Sequence, residues 1–176
     1  CSMNILVTGG AGFIGSNFIR YMLNKYPDYH ITNLDKLTYC GNLENLADVE
    51  NMPNYRFVCG DIKETELVGK VMKEADRVVH FAAETHVDRS IMDASEFIMT
   101  DACGTFVLLE AARKYKIKRF LQISTDEVYG SIHEGAAEEE DRLNPSNPYS
   151  ASKAAADLLA RSYYITYDLP VLILRH

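Results

Sequence analysis

Thr8-Gly9-Gly10-Ala11-Gly12-Phe13-Ile14-Gly15 is the stretch that decides the fold. It follows the apolar run Ile5-Leu6-Val7 and opens a segment of helical pattern, so it predicts a tight turn from a strand into a helix. Gly9, Gly12 and Gly15 lack the Cβ atoms that would keep a pyrophosphate away from the backbone, and a helix N-terminus favours the anion. A plain tight turn is the alternative. The surrounding pattern favours dinucleotide binding.

One carboxylate indicates which dinucleotide binds. Asp35 lies 20 residues beyond Gly15, at the end of the second predicted strand. A carboxylate at this place accepts hydrogen bonds from the adenosine ribose and would repel a 2′-phosphate. The sequence therefore predicts NAD rather than NADP, although the neighbouring Lys36 is an opposing signal.

Short apolar runs alternate with longer segments of helical pattern along the chain. The predicted strands are Asn4–Thr8, His30–Leu34, Tyr55–Cys59, Arg77–Phe81, Arg119–Ser124 and Val171–Leu174. The predicted helices are Phe13–Asn24, Glu64–Lys73, Ala94–Tyr115 and Pro148–Tyr167. Several strands are continuously apolar, which is typical of strands covered on both faces. This alternation predicts the α/β class, a doubly wound parallel sheet of the Rossmann type, with residues 3–176 as one NAD-binding domain and 134–148 as a surface loop.

Composition argues against several classes of function. The 176 residues carry a net charge of −7 and no cluster of Lys and Arg, so neither nucleic acid nor an anionic membrane is expected as a partner. The longest apolar runs are too short to span a bilayer, and no signal peptide is visible. The cysteines lack metal-type or redox-type spacing, so we expect reduced thiols, no metal and a cytoplasmic protein. They are Cys1, Cys40, Cys59 and Cys103.

Tyr149-Ser150-Ala151-Ser152-Lys153 places a phenol and an ammonium on one face of a helix, just after Pro148. A tyrosine hydroxyl has a pKa of about 10, but a nearby ammonium and the positive charge of a nicotinamide would lower it. The pair could then take a hydroxyl proton while hydride leaves the same carbon. The spacing is common by chance, with a solvent-facing pair as the alternative. Beside the glycine-rich turn, the catalytic interpretation is favoured.

Ser124-Thr125-Asp126-Glu127-Val128-Tyr129-Gly130 follows the fifth predicted strand. The carboxyl ends of parallel strands are where a doubly wound sheet binds its ligand, so Thr125 could hydrogen-bond a substrate hydroxyl. Asp126 and Glu127 can divide acid and base roles if their surroundings separate their pKa values. Adjacent carboxylates can also be merely solvated.

Two further strand ends carry candidate cofactor contacts. Asp61-Ile62 follows the third predicted strand, and Phe81-Ala82-Ala83-Glu84-Thr85 closes the fourth. The small side chains of Ala82 and Ala83 would let a cofactor lie close to the backbone. Helix–sheet packing explains them equally well.

These segments together resemble the extended short-chain dehydrogenase/reductase family, and within it the dTDP-glucose 4,6-dehydratases. The resemblance extends from Met3 to Arg175 and is carried by Thr8–Gly15, Asp35–Tyr39 with Gly41-Asn42, Ala82–Ser90, Ser124–Gly130 and Tyr149–Lys153. The Thr-Asp-Glu triplet is the specific motif, because the similar 4-epimerases lack its carboxylate pair. The chain would be the N-terminal, cofactor-binding portion of such an enzyme.

The resemblance implies a lyase that dehydrates a nucleotide sugar, dTDP-glucose to dTDP-4-keto-6-deoxyglucose, with NAD as cofactor. Tyr149, aided by Lys153 and Thr125, would remove the C4 hydroxyl proton while NAD+ takes the C4 hydride. Glu127 would then remove the C5 proton as Asp126 protonates the departing C6 hydroxyl, and hydride would return to C6. The alternatives are a nucleotide-sugar 4-epimerase, against which the carboxylate pair argues, and a non-enzymatic NAD-binding module.

The resemblance also implies the remaining site residues. Besides the glycines, Tyr149 and Lys153, those that would contact NAD are Phe13, Ile14, Asp35, Lys36, Leu37, Thr38, Asp61, Ile62, Phe81, Ala82, Ala83, Glu84, Thr85 and Thr100. Those that would contact the substrate are Thr85 and Thr125. Thr85 and Asp101 replace the family's usual serine and asparagine. Family members are nearly twice as long and usually dimeric, which implies a missing substrate domain and a homodimer through the two long helices, Ala94–Tyr115 and Pro148–Tyr167.

Overall fold

The computed structural model describes residues 2–38, 41–84, 95–132 and 135–176. Within these ranges six strands form one sheet: β1 Met3–Thr8, β2 Tyr29–Asp35, β3 Tyr55–Cys59, β4 Arg77–His80, β5 Arg119–Ser124 and β6 Val171–Arg175. Their order is β3-β2-β1-β4-β5-β6, and every neighbouring pair is parallel. The strand order reverses between β1 and β4, which is the switch point where such sheets bind ligands. The predicted doubly wound sheet is confirmed.

The helices are α1 Phe13–Lys25, α2 Thr65–Lys73, α3 Ser95–Phe97, α4 Thr105–Lys114 and α5 Pro148–Tyr167, with short 3₁₀ helices at Leu43–Leu46 and Asp126–Tyr129. The predicted strands and helices are confirmed to within two residues at their ends, except for one helix. A π-helical segment, Ile98–Gly104, separates α3 from α4, where the sequence predicts a single α-helix over 94–115. Ala94 lies outside the described residues.

The π-helical segment has a packing reason. Thr100 and Asp101 are consecutive, yet both are buried. Gly104 approaches so closely that a Cβ there would lie 2.4 Å from Ile62 Cδ1. A π-bulge changes the helical phase locally and occurs frequently at functional sites. Ordinary 3.6-residue periodicity in a sequence contains no signal for it.

Two apolar clusters cover the two faces of the sheet. Leu6 of β1 packs in one cluster with residues of α2, α4 and α5. Ile5 and Val7 of the same strand point the other way and pack with Ile19 of α1. Burial on both faces explains why these strands read as continuous apolar runs. None of the helices within the described residues has the length and apolar character needed to cross a membrane.

Candidate active site

The glycine-rich turn joins β1 to α1 and lies against the end of β4. Gly9 has φ +71°, and a Cβ there would lie 2.5 Å from Ala82 N. A Cβ on Gly15 would lie 2.5 Å from Gly9 O, so packing within the chain requires both glycines. A Cβ on Gly12 would meet only Gly9 O, at an ordinary 3.4 Å. Since neither packing nor its φ of −74° requires glycine at position 12, the bare backbone there suits a ligand that approaches closely.

Asp35 closes β2 beside this turn. Its Oδ2 accepts a hydrogen bond from Ala11 N at 2.9 Å, and its Oδ1 accepts one from Leu37 N at 2.8 Å. A carboxylate can accept about four hydrogen bonds, so two positions are left for a ligand hydroxyl. The carboxylate is therefore held by the backbone at the carboxyl end of β2.

Lys36 points toward two carboxylates. Its Nζ lies 3.1 Å from Glu84 Oε1 and 3.8 Å from Asp61 Oδ2. These ion pairs join the ends of β2, β3 and β4. The lysine that opposes the NAD prediction in the sequence is therefore engaged by acidic partners.

A cleft of about 580 Å³ runs along the carboxyl ends of the strands. The predicted cofactor contacts that line it are Gly9, Gly12, Phe13, Ile14, Gly15, Asp35, Lys36, Thr38, Ile62, Phe81, Ala82, Ala83, Thr100, Tyr149 and Lys153. Leu37, Asp61 and Glu84 lie beside the cleft without lining it, and Thr85 lies outside the described residues. Among the lining residues that sequence reasoning missed are Gly60 and His176. Their position just at or beyond strand ends is the signal that could have found them.

The N-terminus of α5 holds the predicted base. Asn147 and Ser150 form a capping box, and Pro148 occupies the first turn. The Tyr149 ring packs edge-on against Phe97, with centroids 6.2 Å apart. One turn later, buried Lys153 donates from Nζ to Ile123 O at 2.9 Å. The helix cap, the aromatic contact and the lysine anchor together fix this part of the helix against β5.

The pKa of Tyr149 differs from the sequence-based expectation. Burial, followed by the charges of Glu127 and Asp101, raises this pKa to about 12, although a hydrogen bond to Thr125 opposes the change. Burial lowers the pKa of Lys153, whose ammonium is directed at the Ile123 carbonyl. In the protein alone the phenol is therefore a weaker acid than free tyrosine. A bound cation would be needed to reverse that effect.

The carboxylate turn, Asp126–Tyr129, is a 3₁₀ helix directly beyond β5. Thr125 caps it by accepting a hydrogen bond from Glu127 N at 3.3 Å. Thr125 is buried, whereas Asp126 and Glu127 are exposed. Because the charge of Glu127 raises the pKa of Tyr149, the turn and the N-terminus of α5 lie within electrostatic range of each other. The structure thus brings the predicted catalytic residues to one end of the sheet.

Asp101, the unusual residue of the π-helical segment, lies beneath this group. Its Oδ2 accepts a hydrogen bond from Ser152 Oγ at 2.6 Å, and its Oδ1 accepts one from Glu84 N at 3.2 Å. Burial raises the pKa of Asp101 to about 6, although the charge of Lys153 opposes this shift. The carboxyl group accepts both hydrogen bonds, so an aspartate at this position satisfies its two donors.

Known proteins share this sequence and architecture. The family described as GDP-mannose 4,6 dehydratase matches residues 6–176. The low-salt glycan biosynthesis protein Agl12 of Haloferax volcanii is 59% identical over 98% of this chain and 56% of its own length. The dTDP-glucose 4,6-dehydratase of Streptomyces niveus is 55% identical over 98% of this chain and 53% of its own length.

A solved structure is similar to this chain in both fold and sequence. DesIV, the dTDP-glucose 4,6-dehydratase of Streptomyces venezuelae crystallised with NAD bound, superposes with a TM-score of 0.95 at 51% identity, over 98% of this chain and 55% of DesIV. The chain spans about half the length of the curated relatives it matches. The fold and the resemblance found in the sequence are confirmed, and the chain belongs to the family described as GDP-mannose 4,6 dehydratase.

Proposed function

We propose that this chain is the cofactor-binding and catalytic part of an NAD-dependent dTDP-glucose 4,6-dehydratase, a lyase that forms dTDP-4-keto-6-deoxyglucose. The observation that carries the proposal is the carboxylate pair Asp126-Glu127 beside Tyr149, at the carboxyl end of β5. The relatives from Streptomyces that are named for this activity support it. In this proposal, residues 3–176 form the NAD-binding domain.

The cleft fits NAD in shape and charge. The glycine-rich turn and the N-terminus of α1 would hold the pyrophosphate, where Gly12 leaves the backbone open. Asp35 would accept hydrogen bonds from the adenosine ribose hydroxyls, and its negative charge would disfavour a 2′-phosphate. Tyr149 and Lys153 line the same cleft and would lie at the nicotinamide end of the cofactor. When bound, NAD+ would supply the acceptor for hydride from C4 of the sugar and, once reduced, the donor of hydride to C6, so the reaction would have no net redox change.

The first proton transfer uses Tyr149. Its phenolate takes the C4 hydroxyl proton, and Thr125 holds the same hydroxyl. Burial and nearby carboxylates disfavour the phenolate, so the positive charges of Lys153 and the cofactor must offset them. The resulting ketone at C4 makes the C5 proton acidic.

The elimination uses the carboxylate turn. Glu127 takes the C5 proton, the C5–H electron pair forms the C5–C6 double bond, and the C6–O bond breaks. Asp126 gives its proton to the departing oxygen, which leaves as water. After hydride reaches C6, Glu127 returns its proton to C5. Each carboxylate thus has one role, which a 4-epimerase would not need.

A product assay tests this function. The full-length protein is incubated with dTDP-glucose, and with UDP-glucose in parallel, and the sugar is analysed by mass spectrometry. We expect loss of one water from dTDP-glucose and at least a hundredfold lower turnover in Glu127→Gln, as for removal of a general base. Glu74→Gln, which alters a remote carboxylate paired with Arg56, is the control. Inversion at C4 without loss of water would instead show an epimerase.

We further propose a cytoplasmic homodimer that forms through α4 and α5. Apolar side chains about half exposed lie on these two helices: Phe106, Leu158, Tyr164 and Ile165. Exposed apolar patches of this kind mark protein interfaces. The free thiols of Cys59 and Cys103 suit a reducing compartment. Sedimentation of the full-length protein tests the dimer, and Ile165→Lys is expected to shift it toward monomer.

A further inference from the structure

Arg175, at the end of β6, joins segments that the proposed mechanism uses. Its Nε donates to Asp157 Oδ2 at 2.9 Å, and Asp157 lies on α5 with 1% of its surface exposed. Its Nη1 donates to Tyr129 OH at 2.7 Å and to Glu139 O at 3.4 Å. One guanidinium therefore connects β6, α5, the carboxylate turn and the loop that contains Glu139.

Asp157 extends this connection to β5. Its Oδ2 also accepts a hydrogen bond from Ser124 Oγ at 2.9 Å, while its Oδ1 is buried with no hydrogen-bond partner among the described residues. Asp157 lies one helical turn beyond Lys153. Removing one partner of such a buried pair leaves an uncompensated charge. The Arg175–Asp157 pair thus contacts both catalytic segments, the carboxylate turn and α5, from a largely buried position.

Arg175 of β6 and the following residue, His176, hold the carboxylate turn at its two ends. At the start of the turn, Asp126 N donates to His176 O at 3.0 Å. At its end, Tyr129 OH receives the Arg175 hydrogen bond. Because Asp126 and Glu127 project outward and are exposed, their positions depend on how this backbone is held.

Tyr149 and Lys153 are held by other contacts. The capping box anchors the start of α5, the Ile123 carbonyl anchors Lys153, and Asp101 anchors Ser152. The Arg175–Tyr129 contact is absent from this set. Tyr149 also has a hydrogen bond to Thr125, but Thr125 is buried directly after β5, ahead of the turn. Loss of the Arg175–Tyr129 contact at the far end of the turn would therefore displace Asp126 and Glu127 relative to α5 and leave the first proton transfer in place.

We propose that Arg175 is a positioning residue for the elimination step, which it controls by fixing the carboxylate turn against α5 through Tyr129. The role rests on the proposed dehydration. The role of Arg175 distinguishes two steps of that reaction. Oxidation at C4 uses residues of α5, whereas elimination uses the carboxylates of the turn.

The variant Tyr129→Phe, in the full-length protein, removes the hydrogen-bond acceptor on the turn, keeps the ring whose centroid lies 5.1 Å from Arg175 Cζ, and leaves the Arg175–Asp157 pair intact. Rapid chemical quench in a single turnover of dTDP-glucose measures the 4-keto sugar that still carries its C6 hydroxyl, and then the dehydrated product. We expect oxidation to stay within about twofold and elimination to slow on the order of tenfold, as for loss of one hydrogen bond to a charged group. The 4-keto sugar should accumulate.

Tyr21→Phe is the matched control, because Tyr21 OH likewise accepts a hydrogen bond from a cation, Lys25 Nζ, on the exposed face of α1. Arg175→Lys keeps the charge but not the two-sided contact, so it should slow elimination less than Arg175→Met. Amide hydrogen exchange supplies a measurement independent of turnover. Exchange at Gly130 N, which donates to Glu127 O, should rise in Tyr129→Phe, while the first turns of α5 stay protected.

Three results would overturn the positioning role: equal slowing of both steps, unchanged elimination in Tyr129→Phe, or unchanged exchange at Gly130. A full-length parent protein that forms neither the 4-keto sugar nor the dehydrated product would overturn the dehydration itself, and the positioning role with it. A normal parent with an unaffected Tyr129→Phe overturns only the role of Arg175.

Discussion

Asp101 shows how the charge of one buried side chain can affect the proposed base, Tyr149. Its carboxyl group accepts hydrogen bonds from Ser152 and from the backbone of Glu84, so its geometry follows from packing. Its charge is one of the causes that raise the pKa of Tyr149. At neutral pH the ionised carboxyl therefore opposes formation of the phenolate that the proposed mechanism requires.

Replacing that charge by an amide of the same shape should make Tyr149 easier to deprotonate. For Asp101→Asn in the full-length protein we expect the alkaline-side rise of kcat/KM to move to lower pH. The value at pH 7 should increase on the order of threefold, which corresponds to about half a pKa unit. A kcat/KM profile against pH measures this. Asp76→Asn, at a remote pair with Lys118, is the control, and a profile that keeps its midpoint would contradict the electrostatic role.

At the scale of elements, the glycine-rich turn contains glycines that serve different needs. Gly9→Ala should destabilise the fold by about 1–3 kcal/mol, because φ is positive and a Cβ would meet the Ala82 backbone. Gly12→Ala should leave the thermal unfolding temperature within a few degrees of the parent and weaken NAD binding at least tenfold, since its Cβ would occupy ligand space. Thermal unfolding without NAD measures the loss of stability, and titration calorimetry with NAD measures the loss of affinity. Equal affinity in Gly12→Ala and the parent would contradict the pyrophosphate site.

The sequence could predict the elements whose cause is local. Apolar runs such as Ile5-Leu6-Val7, the capping residues before α5 and the strand-end positions of Asp35 and Thr125 all follow from short-range patterns. The π-helical segment could not be predicted, because Gly104 adopts its position against Ile62, a residue from another part of the chain. Periodicity within one segment contains no information on that contact.

The same distinction applies to the candidate site. Tyr149 and Lys153 are found from their spacing, but the pKa of Tyr149 depends on Glu127 and Asp101, which are distant in sequence. Arg175 and Tyr129 are separated by 46 residues and carry no motif that links them. Long-range contacts therefore decide the electrostatics and the anchoring of residues whose identities a sequence motif supplies.

At the scale of the whole molecule, two buried groups oppose each other in their effect on acid stability. His80 lies between Thr8 Oγ1 and Thr105 Oγ1, and burial lowers its pKa from 6.5 to about 3. The neutral ring is favoured in the folded state, so stability from His80 is present above pH 6.5 and lost as the pH falls toward 3. Burial raises the pKa of Asp101 from 3.8 to about 6, so folding is favoured by protonation, and that stability is lost as the pH rises from about 4 to 6.

Between pH 4 and 6 the two effects have opposite signs and similar slopes. His80 lowers the free energy of unfolding by about 1.4 kcal/mol per unit of acidification, and Asp101 raises it by about the same amount. Asp101→Asn removes only the second effect. We therefore expect the variant to be more stable than the parent at pH 7, on the order of 2 kcal/mol, and to lose this advantage as the pH falls to 4. Urea unfolding at a series of pH values measures both chains. A constant difference between them over that range would show that Asp101 titrates in the folded protein as it does in the unfolded chain.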